Sequence, residues 1–307
     1  MPNNDVHPDL QRLARFTPRR MVGPLTLPIL RRLTALRDRR GKSDTDVEVI
    51  TLGPGVGVRL FRPAGVPEPT PALLWIHGGG YVIGTAAQDD WICAGFVKRL
   101  GITVASVEYR LAPEHPYPAA VEDCYAALTW LAGLPAVDGA RVAIGGASAG
   151  GGLAAALALS ARDRGEIAPM FQLLTYPMLD DRSSATAEKP NYRLWNTRSN
   201  RFGWTAYLDG ADPQVAVPAR RGDLSGLPPA WIGVGSNDLF YAEDLAYAER
   251  LTAAGVPCDV EVIPGAFHGF DQIAPKALVS RRFFDSQCDS LRAGLALAGA
   301  VRSHIAK

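Results

Sequence analysis

Residues 141–156 read Arg-Val-Ala-Ile-Gly-Gly-Ala-Ser-Ala-Gly-Gly-Gly-Leu-Ala-Ala-Ala. The first six residues form a short apolar run of strand type, and the Ala-rich run that ends at Gly165 is of helix type. Their junction, Gly146-Ala147-Ser148-Ala149-Gly150, fits the pattern G-x-S-x-G. That pattern has mechanical meaning where a strand turns sharply into a helix. Small residues on both sides let strand and helix approach, and the serine hydroxyl is left projecting from the turn. The N-terminal end of the following helix favours negative charge beside it. A phosphate-binding glycine loop does not fit. Ala147 and Ser148 hold the wrong places for G-x-G-x-x-G, and no Lys follows as in a Walker loop.

A nucleophilic serine requires donors for the oxyanion, a base and an orienting acid. Upstream, the apolar run 71–76 ends at His77-Gly78-Gly79-Gly80. Backbone N–H groups free of side-chain bulk suit a developing oxyanion. Those of Gly79 and Gly80, with that of Ala149 after the serine, are the expected oxyanion hole. His77 is expected to brace the loop. Of the other histidines, His7 and His304 lie near the ends of the sequence and His115 lies in Pro113-Glu114-His115-Pro116. His268 follows the strand-like run 259–264 within Gly265-Ala266-Phe267-His268-Gly269-Phe270 and is the expected base. Asp238 is the first acid after the strand-like run 230–235 and is the expected orienting carboxylate. Glu243 and Asp244 fall in a helical run and are expected at the surface. Ser148, Asp238 and His268 are thus the expected catalytic triad.

Strand and helix alternate through most of the chain. Runs 47–52 and 57–63 predict a hairpin. Strands follow near 71–76, 102–109, 141–146, 170–176, 230–235 and 259–264, with helices over 119–133, 151–165, 242–254 and 276–297. This predicts an α/β fold, a mostly parallel sheet covered by helices on both faces. Residues 5–40 predict two helices split by Gly23-Pro24, with apolar stripes at Leu10, Leu13 and Ala14 and at Ile29, Leu30, Leu33 and Leu36. Residues 180–228 break the rhythm and carry Tyr192, Trp195, Phe202, Trp204 and Tyr207. They are too long for a plain loop and too aromatic for disorder. The expected organisation is a catalytic core of 46–179 and 229–307, N-terminal cap helices over 1–45, and a cap insertion over 180–228.

Composition narrows the function. Lys+Arg number 32 and Asp+Glu 31, a net charge of +1, so nothing points to nucleic acid. Arginines crowd residues 12–40, which are read as a solvated helix face, with contact to a membrane surface as the other reading. Cys93, Cys124, Cys258 and Cys288 are scattered without zinc-like spacing, so no metal or other cofactor is expected. No apolar h-region opens the sequence and no run reaches transmembrane length. The expectation is a cytoplasmic protein without stable membrane insertion that acts on a small-molecule ester.

The sequence resembles the bacterial hormone-sensitive-lipase-like esterases, family IV of the α/β-hydrolase superfamily. The resemblance covers about residues 70–270 and rests on His77-Gly78-Gly79-Gly80, on the stretch from Tyr109-Arg110-Leu111-Ala112-Pro113-Glu114 to Ala120, on the Ser148 turn with Gly151, and on Asp238 and His268-Gly269-Phe270. The chain order Ser148, Asp238, His268 is also that of α/β hydrolases. The resemblance implies an eight-stranded, mostly parallel sheet, a helical cap, and hydrolysis of short to medium acyl esters without a cofactor. It also implies a homodimer formed through the last strand. Members that resemble this pattern carry Asp or Thr before the serine. Ala147 departs from both and leaves the subgroup open. Two other functions fit the same residues less well. One is an amidase or arylformamidase with the same triad. The other is a noncatalytic small-molecule receptor like the plant gibberellin receptor, which lacks the histidine that His268 supplies here.

Overall fold

The computed structural model describes residues 5–19, 22–40 and 47–305. The expected boundary at 45/46 and Arg20 lie outside the described residues, as do the side chains of Leu36, Arg37, Arg39, Arg40 and His304. The chain begins with a short helix α1 (Gln11–Ala14) and a longer α2 (Leu27–Arg40). β1 (Val47–Gly53) and β2 (Val56–Phe61) then form the expected antiparallel hairpin. The alternating part runs β3 (Thr70–Ile76), α3 (Asp90–Leu100), β4 (Thr103–Glu108), α4 (Ala119–Ala132), β5 (Val137–Ala147), α5 (Ala149–Arg164) and β6 (Gln172–Thr175). After α6 (Thr197–Leu208) and α7 (Pro213–Ala216) come β7 (Ala230–Gly235), α8 (Tyr241–Ala253), β8 (Cys258–Ile263), α9 (Phe270–Ile273) and α10 (Leu278–Ile305).

The eight strands form one sheet in the order β1-β2-β4-β3-β5-β6-β7-β8. β2 is antiparallel to both neighbours, and every pairing from β4 to β8 is parallel. The inner strands are buried on both faces, which explains why they read as continuous apolar runs. In β3, Ala72, Leu74 and Ile76 enter one core while Leu73 and Trp75 enter the other. The first core is closed by side chains of α4, α5 and α8, the second by those of α3 and α10.

Two local readings change. Helix α3 has no counterpart in the sequence analysis. Its Gly95 is a weak helix former, kept small by the partner helix: an added Cβ would lie 2.7 Å from the Phe284 ring of α10. The apolar stripe on α2 does not face the core as a unit. Leu27 is buried and Leu30 packs beside it, while Ile29 and Leu33 are exposed.

Burial beneath the sheet has a measurable consequence at Asp89. This carboxyl group is buried and accepts a hydrogen bond from Trp75 Nε1 at 2.7 Å. Desolvation pushes its pKa up to about 7. The folded chain therefore holds this proton across a range in which the unfolded chain has lost it. The associated stability is complete below the ordinary carboxylate range and is lost as the pH rises through about 7. Asp89→Asn retains an acceptor for Trp75 without a charge to desolvate. Its melting temperature relative to the parent is expected to rise more at about pH 8 than at about pH 4, as read by thermal denaturation at both values.

Candidate active site

The turn from β5 to α5 is set by backbone packing. Ser148 has φ 58° and ψ −122°, a sparsely populated region for a residue with a side chain. Its N–H donates to Thr175 O at 2.9 Å, and its carbonyl accepts from Gly152 N at 3.0 Å and Met178 N at 2.9 Å. A Cβ on Gly146 would lie 2.5 Å from the Gly150 and Ile76 carbonyl oxygens, and one on Gly150 would lie 2.0 Å from Ile76 O. Neither position has room for a larger residue. The serine is held in a conformation that turns its hydroxyl away from the sheet and toward His268.

His268 Nε2 lies 2.9 Å from Ser148 Oγ, and its Nδ1 lies 2.8 Å from Asp238 Oδ2. A carboxylate at Asp238 takes the Nδ1–H bond, which leaves Nε2 to accept from the serine hydroxyl. The second oxygen of Asp238 accepts from Phe240 N at 3.0 Å. All three side chains are buried. The imidazole is gripped by two rings edge-on, Tyr176 with centroids 5.0 Å apart and Phe240 at 5.1 Å. Tyr176 donates its hydroxyl to Asp271 Oδ1 at 2.7 Å. Sequence reading singled out none of Tyr176, Phe240 and Asp271. The one available signal was the placement of Tyr176 directly after β6 and of Asp271 three residues past His268.

The glycine loop after β3 abuts this turn. A Cβ on Gly78 would lie 2.8 Å from Ala147 O and 3.2 Å from Ser148 Cβ. Gly79 and Gly80 take φ of 127° and 61°. Among the described residues, the N–H groups of Gly79, Gly80 and Ala149 donate to no acceptor. His77 braces the loop as expected. Burial lowers its pKa to about 4, so the ring is neutral near pH 7, and its Nδ1–H donates to Gly78 O at 2.8 Å. The segment after β4 holds His77 from behind. The Tyr109 ring stacks on the imidazole at 4.2 Å and its hydroxyl donates to His77 O at 2.9 Å. Arg110 is locked by Asp123, its Nη2 donating at 2.6 Å, and Ala112 N donates to Tyr81 O at 3.0 Å. A stretch that attracted notice as a motif is thus the mechanical support of the glycine loop.

Residues 180–228 cross this end of the sheet. Trp195 rests on Gly80, where an added Cβ would lie 2.0 Å from the indole ring. Its Nε1 donates to Asn200 Oδ1 at 3.1 Å. Leu194 reaches the other side, its Cδ1 lying 3.2 Å from where Gly269 would carry a Cβ. The adjacent pair spans from the glycine loop to the histidine turn. Tyr207 stacks on Tyr81 at 4.1 Å, and Trp204 lies 5.2 Å from the same ring.

The remaining candidates lie apart from this cluster or differ from expectation. His7 accepts from Asp9 N, and His115 is exposed. Glu243 and Asp244 are not surface charges: both are buried. Glu243 Oε1 accepts from Leu179 N at 2.7 Å and Asp180 N at 3.1 Å, tying α8 to the segment after β6. The Asp244 carboxyl group makes no hydrogen bond among the described residues, and burial pushes its pKa well up, consistent with a neutral acid. Among the described residues, no group of three or more His, Cys, Asp or Glu side chains is arranged to hold a metal ion.

Gly80→Ala tests the packing of this loop. The methyl group would collide with Trp195 and strain a positive φ. The expected result is a drop in kcat/KM of roughly 10²-fold or more, the scale of losing one oxyanion donor, measured on a soluble chromogenic ester.

Comparison with known proteins agrees with this fold. Residues 73–272 match the family described as alpha/beta hydrolase fold. The chain is 37% identical over 226 residues to "Esterase LipI" of Mycobacterium tuberculosis, covering 70% of this chain and 71% of that protein. It is 32% identical over 255 residues to "Ethyl acetate hydrolase" of Pseudomonas putida, covering 75% and 78%. Among solved structures it superposes on "Bacterial Heroin Esterase" with a TM-score of 0.87 at 36% identity, covering 96% of this chain and 99% of that one. The chain therefore belongs to the α/β-hydrolase fold family, and within it to the hormone-sensitive-lipase-like esterases.

Proposed function

We propose that this chain is a serine carboxylesterase that hydrolyses short to medium acyl esters through an acyl-enzyme. Carboxylic ester hydrolysis is the activity of the family. The observation that carries the finer reading is the hydrogen-bonded series Ser148–His268–Asp238, with the undonated N–H groups of Gly79, Gly80 and Ala149 belonging to the adjoining loop and helix. Ser148 Oγ attacks the ester carbonyl carbon while His268 Nε2 takes its proton. The carbonyl oxygen becomes an oxyanion that accepts from the three N–H groups. Asp238 keeps the imidazole in the reactive tautomer and stabilises its charged form. The C–O bond to the alcohol then breaks, and His268 returns the proton to the leaving oxygen. Water then attacks the acyl carbon while losing a proton to His268; the bond from that carbon to Ser148 Oγ breaks, His268 returns the proton to Oγ, and the carboxylic acid leaves. Neither metal nor organic cofactor takes part.

In this reading 46–179 and 229–307 form the catalytic core, while 1–45 and 180–228 form the cap. Trp195 lies against Gly80 and Leu194 against Gly269, bulky groups on either side of the triad that favour a small acyl pocket. The ethyl acetate hydrolase among the relatives is in keeping with a short acyl group.

Ser148→Ala is expected to lower kcat by roughly 10⁴-fold or more, with labelling by a serine-directed organophosphate lost in parallel. Asp238→Asn should be nearly inactive. Asp244→Asn, which leaves a neutral group where a neutral acid is buried, should stay within a few-fold of the parent. An inactive Asp244→Asn beside an active Asp238→Asn would reverse the assignment.

A second expectation concerns acyl length. Each methylene contributes up to about 0.8 kcal/mol while it can be buried. Over a series of nitrophenyl esters, kcat/KM should rise from acetyl to butyryl or hexanoyl and then fall. A rise continuing to palmitoyl would contradict a small pocket, and preference for an amide analogue would contradict the ester reading.

A further inference from the structure

Helix α2 carries apolar residues on two opposite faces. On the inner face, Leu27 is buried with Val22, and Leu30 packs against the same core. Arg31 fastens that face to the body of the protein. Its Nε donates to Val82 O at 2.8 Å, its Nη2 to Ala112 O at 2.7 Å, and its Nη1 to Glu114 at 2.7 Å. The outer face is presented by Leu25, Ile29 and Leu33, which follow at four-residue intervals and are 90%, 60% and 57% exposed. Phe16, just beyond α1, is 81% exposed. Single exposed apolar residues are ordinary, but a row of large ones marks an interaction surface.

The charge around this row is one-sided. Between Asp9 and Asp38 the sequence carries seven arginines and no acidic residue. Arg12, Arg15, Arg19 and Arg32 are exposed. Among the described residues, no hydrogen bond or ion pair engages their guanidinium groups. The segment 12–33 thus supplies both exposed large apolar residues and exposed arginines.

We propose that α2 and the turn after α1 form a peripheral docking surface for an anionic lipid membrane. Leu25, Ile29, Leu33 and Phe16 enter the boundary between headgroups and acyl chains, and the arginines meet lipid phosphates. Both features belong to interfacial helices, whose binding combines apolar burial with attraction to anionic lipid. A second copy of this chain is disfavoured as occupant, since it would bring arginines against arginines. No helix among the described residues is long and apolar enough to cross a membrane, so the contact is superficial. The same segment is tied to the residues beside Trp195: Leu194 N donates to Pro18 O at 2.8 Å and Ser199 Oγ to Val22 O at 2.7 Å. Docking would bring that end of the protein to the lipid surface. The proposal goes beyond ester hydrolysis and does not depend on it.

Co-sedimentation of the full chain with vesicles tests it. Vesicles of phosphatidylcholine mixed with phosphatidylglycerol are compared with phosphatidylcholine alone. The expected result is partitioning to the anionic vesicles at least ~10-fold above the neutral ones, weakening as salt is raised. The combined variant Leu25→Ser, Ile29→Ser, Leu33→Ser should lose ~10-fold or more of that partitioning, and so should Arg12→Gln, Arg15→Gln, Arg19→Gln. Each should retain the parent's thermal midpoint, because the altered side chains are exposed. Ser148→Ala should bind as the parent does, which separates this test from the fate of the catalytic reading. No binding to anionic vesicles at low salt would overturn the proposal, as would undiminished binding by either combined variant. A dimer in light scattering that the serine variant dissociates would identify the row as a self-interface and overturn it equally.

Discussion

The backbone of Gly150 rests on the end of β3, where an added Cβ would lie 2.0 Å from Ile76 O and 2.5 Å from His77 O. Much of the site depends on that contact. It brings the start of α5 against the strand that launches the glycine loop, so the nucleophile and the proposed oxyanion donors are located by one packing event. Gly78 closes the arrangement from the other side by lying against Ala147 O and Ser148 Cβ. Three chain segments thus meet where only hydrogen atoms fit. Any side chain here would separate the serine from the loop, and the φ of 58° at Ser148 would lose the neighbours that impose it. The supports radiate outward from this point. Tyr109 carries His77, Asp123 carries Arg110, and Arg31 reaches from α2 to the carbonyls of Val82 and Ala112.

Several acids are buried near this end of the sheet, and their environments divide the work. Asp238 is hydrogen-bonded to the His268 imidazole, with a backbone N–H on its other oxygen. Glu243 spends its one bonded oxygen on two backbone N–H groups and serves as a tie between α8 and the chain after β6. Asp271 takes the Tyr176 hydroxyl, and that ring in turn fixes an edge of His268. Asp89 takes the Trp75 indole. Burial raises the pKa values of Glu243, Asp244, Asp271 and Asp89 and favours their neutral forms. Among these acids it is Asp238 that hydrogen-bonds the imidazole and orients it.

What could be read beforehand was whatever the chain states locally. The strand runs at 71–76, 141–146 and 230–235 declare themselves by composition, and each is followed within a few residues by the group it presents, the His77 loop, Ser148 or Asp238. His268 was legible for the same reason. The parts that escaped are those defined only by a partner distant in sequence. Helix α3 is diluted by Gly95, whose smallness serves Phe284 almost two hundred residues on. Tyr176, Leu194 and Asp271 look ordinary until His268 and Gly269 are beside them. Glu243 and Asp244 were misread because an acid in a helix is exposed by default, and only the path of the chain after β6 reveals that α8 is covered there. On α2, four-residue spacing marked an apolar stripe but not which side met the core, since Leu25, Ile29 and Leu33 satisfy the same periodicity as Leu27, Leu30 and Thr34.

The same reasoning accounts for Ala147, which departs from the Asp or Thr of the family pattern that the sequence resembles. Its side chain is buried in the core that includes Trp75 and Phe267. A carboxylate there would need a partner of its own to offset desolvation. A methyl group needs only apolar contact, which that core provides. Nothing that holds Ser148 passes through the side chain at 147: the bonds to Thr175 O, Gly152 N and Met178 N are all made by the Ser148 backbone. The hydrogen bonds of the turn therefore do not depend on the side chain at 147, whereas its packing does not tolerate bulk at 146 or 150. The departure changes the lining beneath the nucleophile and leaves its geometry to the glycines.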